Sequence, residues 1–129
     1  MQTEIIKKTL FERLGGRSGI SMLVDDTVDE HMKNPAINAR FLPYLQDPER
    51  LKKIKQHTVE FFIAGSGGPV AYSGRDMVST HTGMNISPVE YMHVIDDIFI
   101  AMDKQSINDD TKKDVLAILW SLKSMIISK

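Results

Sequence analysis

Four histidines, His31, His57, His81 and His93, are the side chains best suited to hold a metal or move a proton in this 129-residue chain, which has no cysteine. The missing thiols exclude disulfides, thiolate zinc sites, iron–sulfur clusters and cysteine nucleophiles together. Glu90-x-x-His93 has the spacing of the carboxylate–imidazole pair that helical bundles turn inward around non-haem iron, but such bundles need two copies and the sequence has one. His93 also falls beside its helix's apolar stripe, as a rim histidine would. His81 follows a glycine-rich approach, with Met77 one turn before it and an apolar helix after it. Those surroundings would suit an imidazole bound to the iron of a flat, greasy macrocycle. A core histidine bonded to a backbone carbonyl is the commoner arrangement, and the residues by themselves leave both readings open.

Other catalytic signatures are missing. There is no HExxH, no GxxxxGK[ST], no GxGxxG and no GxSxG. Gly65-Ser66-Gly67-Gly68 looks superficially like a phosphate loop, but it follows a helix and lacks the lysine.

The elements that must position these histidines read as all-α, because apolar residues recur at helical spacing and no strand-length alternation is found. A first helix is expected over Glu4–Leu14, ending at Gly15-Gly16. A second runs from near Ser18 to Asn34-Pro35, with Ile20, Leu23, Val24, Thr27, Val28, His31 and Met32 on one stripe. Pro35, Pro43 and Pro48 break residues 35–50 into a corner of short turns. A third helix covers about Pro48–Ala64, showing Leu51, Ile54, Thr58, Phe61 and Phe62 on one side and Lys52, Lys53 and Lys55 to water. A short helix over about Asp76–Gly83 carries Met77 and His81. A longer one begins at Ser87-Pro88, where a serine cap, a proline and Glu90 suit a helix start. The last begins around Asn108–Thr111 and carries Val115, Ile118, Leu119, Leu122 and Ile126.

Length and composition fit one domain over residues 1–129, 42% hydrophobic and 26% charged. The formal net charge of -1 and the lack of a dense Lys/Arg tract argue against a nucleic-acid partner. No apolar run reaches the length of a membrane helix, and Glu4, Lys7 and Lys8 interrupt the start, so a soluble cytoplasmic protein, monomeric or weakly dimeric, is expected.

Several strings together carry a family resemblance. Gly67-Gly68-Pro69 followed by Tyr72-x-Gly74-Arg75-x-Met77-x-x-x-His81-x-Gly83-x-x-Ile86 resembles the approach to the proximal histidine of group I truncated haemoglobins. Leu10-Phe11-x-x-Leu14-Gly15-Gly16 resembles the family's opening, Val24-Asp25-Asp26 and Asn34-Pro35 its second helix, and Phe61-Phe62 its distal helix. The pattern extends from about residue 10 to 126, and its specificity lies in the joint spacing.

The resemblance implies a truncated globin-like two-over-two helical sandwich around one haem b, with His81 as proximal iron ligand, Met77 beneath the ring and Phe41 packing on it. It implies a pocket lined by Val28, Ile54, Thr58, Phe61, Ile86 and Val94. It counts Lys55 and Arg75 with the haem-binding residues, and Lys53, Lys55 or Arg75 would meet a haem propionate at the pocket mouth. The departure is distal: Val28 stands where the family usually has a tyrosine, and Ile54 and Thr58 stand at positions that often carry glutamine. Tyr44, in a connection that looks longer than usual, is a candidate replacement phenol or a packing residue. His57 aligns with a position that some relatives use as a second axial ligand, and a place at the pocket mouth is the alternative. The implied activity is reversible binding of oxygen, nitric oxide or carbon monoxide. Nitric oxide dioxygenase turnover would need an external reductase. A non-haem metal-binding bundle or interaction module is the competing reading.

Overall fold

The computed structural model describes residues 8–72, 74 and 76–129. Six α-helices follow in order: α1 (Leu10–Arg13), α2 (Gly16–Lys33), α3 (Pro48–Gly65), α4 (Met77–His81), α5 (Pro88–Lys104) and α6 (Asp109–Ile126). Two 3-10 turns, Asn38–Arg40 and Leu42–Gln46, form the corner between α2 and α3. Among the described residues there is no strand, only one isolated parallel bridge between Ile86 and Ile127.

Each start has a local cause. Thr9 caps α1 in a reciprocal box with Glu12, and Ser87 does the same for α5 with Glu90. Asp47, Asp76 and Asn108 each accept a backbone N–H of the helix that follows. Thr9 is itself extended, so α1 begins at Leu10, and residues 4–7 of the expected first helix lie outside the described residues. The α1–α2 corner depends on Gly15 and Gly16 at φ +90° and +68°, a region costly for any side chain with a Cβ.

Helices α2 and α3 pack together, α5 packs on α6, and α2 crosses α5, which makes the two-over-two sandwich. The core joins Ile20, Leu23, Val24 and Val28 of α2 to Tyr91, Ile95, Ile98 and Met102 of α5 and Val115, Leu119 and Ile126 of α6. The side of α3 that is fully buried carries Val59 and Ile63. The expected stripe Leu51, Ile54, Thr58, Phe61 and Phe62 is only half-buried: Leu51 and Phe62 pack against the edge of the core, and Ile54, Thr58 and Phe61 stand outside it.

Candidate functional site

His81 is the last residue of α4, whose start is fixed by the Asp76 carboxylate accepting from Ser79 N at 2.8 Å. Its Nδ1 lies 2.7 Å from the Met77 carbonyl oxygen. A carbonyl only accepts, so Nδ1 carries the proton and the lone pair of the half-buried ring sits on Nε2. One nitrogen oriented by a backbone acceptor and the other left with an open lone pair is the arrangement of a metal-ligating histidine.

The segment after His81 is strapped by the far end of the chain. Gly83 N and Asn85 N donate to Lys129 O at 3.1 and 2.9 Å, and Ser128 N donates to Ile86 O at 2.8 Å. Ile86 is thereby buried.

Most of the residues expected to line the pocket are apolar and incompletely buried. Phe41, Ile54 and Phe61 are half-buried yet stand outside the core cluster, and Met77 and Val94 are half-buried at its edge. Val28 is buried on α2. Phe61 meets Tyr72 edge-on at 5.2 Å, and a Cβ on Gly74 would come within 2.3 Å of the Tyr72 hydroxyl, so only glycine allows this packing. These unsatisfied apolar faces and the free imidazole nitrogen fit a flat apolar group that carries a metal.

The polar groups nearby are mostly committed elsewhere. Thr58 donates its hydroxyl proton to Ile54 O at 2.8 Å, within its own helix. Lys55 pairs with Asp25 of α2 at 3.2 Å. Tyr44 lies under the Arg50 guanidinium, 5.4 Å from its ring centroid. His57 and Lys53 are exposed on α3, and Arg75 lies outside the described residues.

Glu90 and His93 do not form a metal pair. Glu90 accepts from Arg40 Nε at 2.5 Å and Nη2 at 3.2 Å, while His93 Nδ1 faces the Asn34 amide at 3.4 Å. Among the described residues no group of three or more His, Cys, Asp or Glu could hold a metal ion.

Helical periodicity placed His31 on the buried stripe of α2 but could not show its partner. His31 Nδ1 lies 2.7 Å from Asp97 Oδ2, with the residues 5% and 3% exposed. Asn34 Nδ2 donates to both Asp97 oxygens at 3.2 Å. Burial pushes the His31 imidazole below its ordinary range, against the pull of Asp97. Removing the imidazole leaves the buried Asp97 carboxylate one donor short, a loss of about 1.5–3 kcal/mol. The one available sequence signal was that Asp97 adjoins Ile98 and follows Ile95 and Val94 on an otherwise apolar side of α5.

An all-helical sandwich in which His81 keeps Nε2 for a ligand while Phe41, Ile54, Phe61, Met77 and Val94 stay half-buried has the architecture of a small globin. The chain belongs to the bacterial-like globin family, whose model matches residues 9–128. Family membership implies haem binding. A group 1 truncated hemoglobin of Nostoc commune is 26% identical over 121 residues, covering 94% of this chain and 98% of that one. The truncated hemoglobin of Tetrahymena pyriformis in its Fe(III) form superposes with a TM-score of 0.84 at 16% identity, covering 95% of this chain and all of that one. The group II truncated hemoglobin of Bacillus anthracis gives 0.81 at 22% identity, covering 97% and 95%.

Proposed function

We propose that this chain binds haem b through His81 and that the haem reversibly takes up oxygen and other diatomic gases, with little hydrogen bonding on the distal side. The observation that carries this reading is the His81 Nδ1–Met77 O bond, which fixes the tautomer and leaves Nε2 for iron. When bound, haem would supply an iron able to take up a gas. Met77 and Phe41 would hold the macrocycle by contact, and Val28, Ile54, Phe61 and Val94 would exclude water from its face. The strap on residues 83–86 keeps the proximal segment in place.

Conversion of nitric oxide and oxygen to nitrate would take one electron from ferrous iron per turnover. A reductase of flavin or nicotinamide type would have to return it. Exposure of His57 supports a place at the pocket mouth, with iron ligation requiring a turn of its side chain.

Absorption spectra of the purified protein test the reading, in ferric and dithionite-reduced forms with and without carbon monoxide. Stoichiometric haem with a sharp, shifted band in carbon monoxide is expected, and failure to hold haem would overturn it. His57→Ala is expected to leave the ligand-free ferrous spectrum unchanged; loss of a two-banded, six-coordinate visible spectrum would instead make His57 a ligand.

A further inference from the structure

Two neighbouring residues of the corner between α2 and α3 are tied to α5 by separate carboxylates. Arg40 binds Glu90 and also donates from Nη2 to Met84 O at 3.0 Å. Phe41 meets the His31 ring with centroids 4.7 Å apart and planes tilted 31°, and His31 is bonded to Asp97. Glu90 and Asp97 are seven residues apart on one helix, and so they share a face two turns in length.

The corner needs such external ties. Phe41 joins two 3-10 turns at φ -109° and ψ -35°, so no regular helix fixes the direction of its side chain. The Asp97 carboxylate can only accept, so His31 donates from Nδ1 and its ring orientation is fixed by that bond. Asn34, donating to both carboxylate oxygens, holds Asp97 in turn. The order of constraint therefore runs from Asn34 to Asp97 to His31 to Phe41.

We propose that His31 and Asp97 are positioning residues for the haem: Asp97 locks the His31 ring, and that ring holds Phe41 against the macrocycle. This rests on the haem-binding reading above. Neither residue touches the haem in this proposal. Both act through the angle of Phe41, so their loss changes how tightly haem is held more than whether the helices form.

The test follows transfer of haem from the ferric holoprotein to excess apomyoglobin, alongside the urea midpoint of each variant. Asp97→Asn keeps the shape and removes the charge, and His31→Leu removes the ring. Ile20→Val trims a fully buried residue of α2 three turns before His31 and serves as the stability control. His31→Leu is expected to lose haem roughly tenfold faster than the unaltered protein, the low end of what outer partners of a metal site contribute, with Asp97→Asn faster by several-fold. Ile20→Val is expected to stay within about twofold despite its lower urea midpoint. Should His31→Leu fail to fold, His31→Gln, which can still donate to Asp97 but has no ring, takes its place with the same expectation. Unaltered haem loss in the His31 and Asp97 variants overturns the proposal, as does equally fast loss in Ile20→Val. Unaltered protein that takes up no haem overturns the haem reading first, a result distinguishable from holoprotein whose variants behave alike.

Discussion

Thr58 shows how a polar side chain near a site can be chemically absent from it. Its only hydroxyl proton goes to Ile54 O, so a gas held across from His81 gains no donor from it. Replacing Thr58 by Val should therefore leave the rate of oxygen release within about twofold, measured by carbon monoxide displacement in a stopped-flow instrument. Val28→Tyr should do the opposite, because it adds a phenol at the buried α2 position that the family resemblance places on the distal side. One new hydrogen bond worth about 1.4 kcal/mol would slow release about tenfold. Unchanged release would mean that Val28 does not face the bound gas. The expectation of weak distal donors was legible in the sequence as residue types at aligned positions. The commitment of Thr58 was not, since a threonine's choice between its own helix and a ligand depends on the rotamer it adopts.

At the level of elements, the helices were largely readable because most starts carry a capping residue and several stops a glycine or proline. Ser87 with Glu90, Asn108 with Thr111, and Gly65 through Gly68 mark their boundaries within a residue or two. Pairing across the sequence was not readable. Nothing in the periodicity of α2 and α5 tells that His31 meets Asp97, because a 3.6-residue stripe reports which face is buried and not what it meets. The strap is equally long-range: Ser128 holds the backbone of Ile86 by its amide. Ser128 has φ +59°, so Ser128→Pro removes the donor and imposes an incompatible backbone angle. That variant should retain its far-ultraviolet helical signal yet release haem several-fold faster, by roughly 1 kcal/mol of lost hydrogen bond. Haem retention equal to the unaltered chain would show that the strap is dispensable for the proximal segment.

For the whole molecule, acid should act in two separate windows. His31 resists protonation when folded, whereas in the unfolded chain it takes a proton near its ordinary value of 6.5. The unfolded state thus binds more protons as pH falls below about 6.5, and stability declines there until the lowered folded value is passed. The charged groups acting on His31 are Asp97 of α5 and Glu30 of its own helix, with Asn34 bonded to Asp97 and His93 bonded to Asn34, so Asp97 moderates this loss and does not reverse it. Glu90 and Glu30 behave differently. Arg40 and Lys104 hold these carboxyls below their ordinary 4.5, and their contribution is present above that value and lost below it. The urea midpoint should fall between pH 7.5 and 5.5, and the double variant His31→Phe, Asp97→Leu should flatten that interval while keeping the acid limb below 4.5. A flat profile in the unaltered protein would remove His31 as the cause. The strap also sets a timetable for synthesis. Residues 127–129 leave the ribosome more than forty residues after Gly83, which at roughly 5–20 residues per second is about two to nine seconds. During that interval the nascent chain already presents His81 but lacks what closes its segment, so firm capture of haem should wait for translation to pass Lys129.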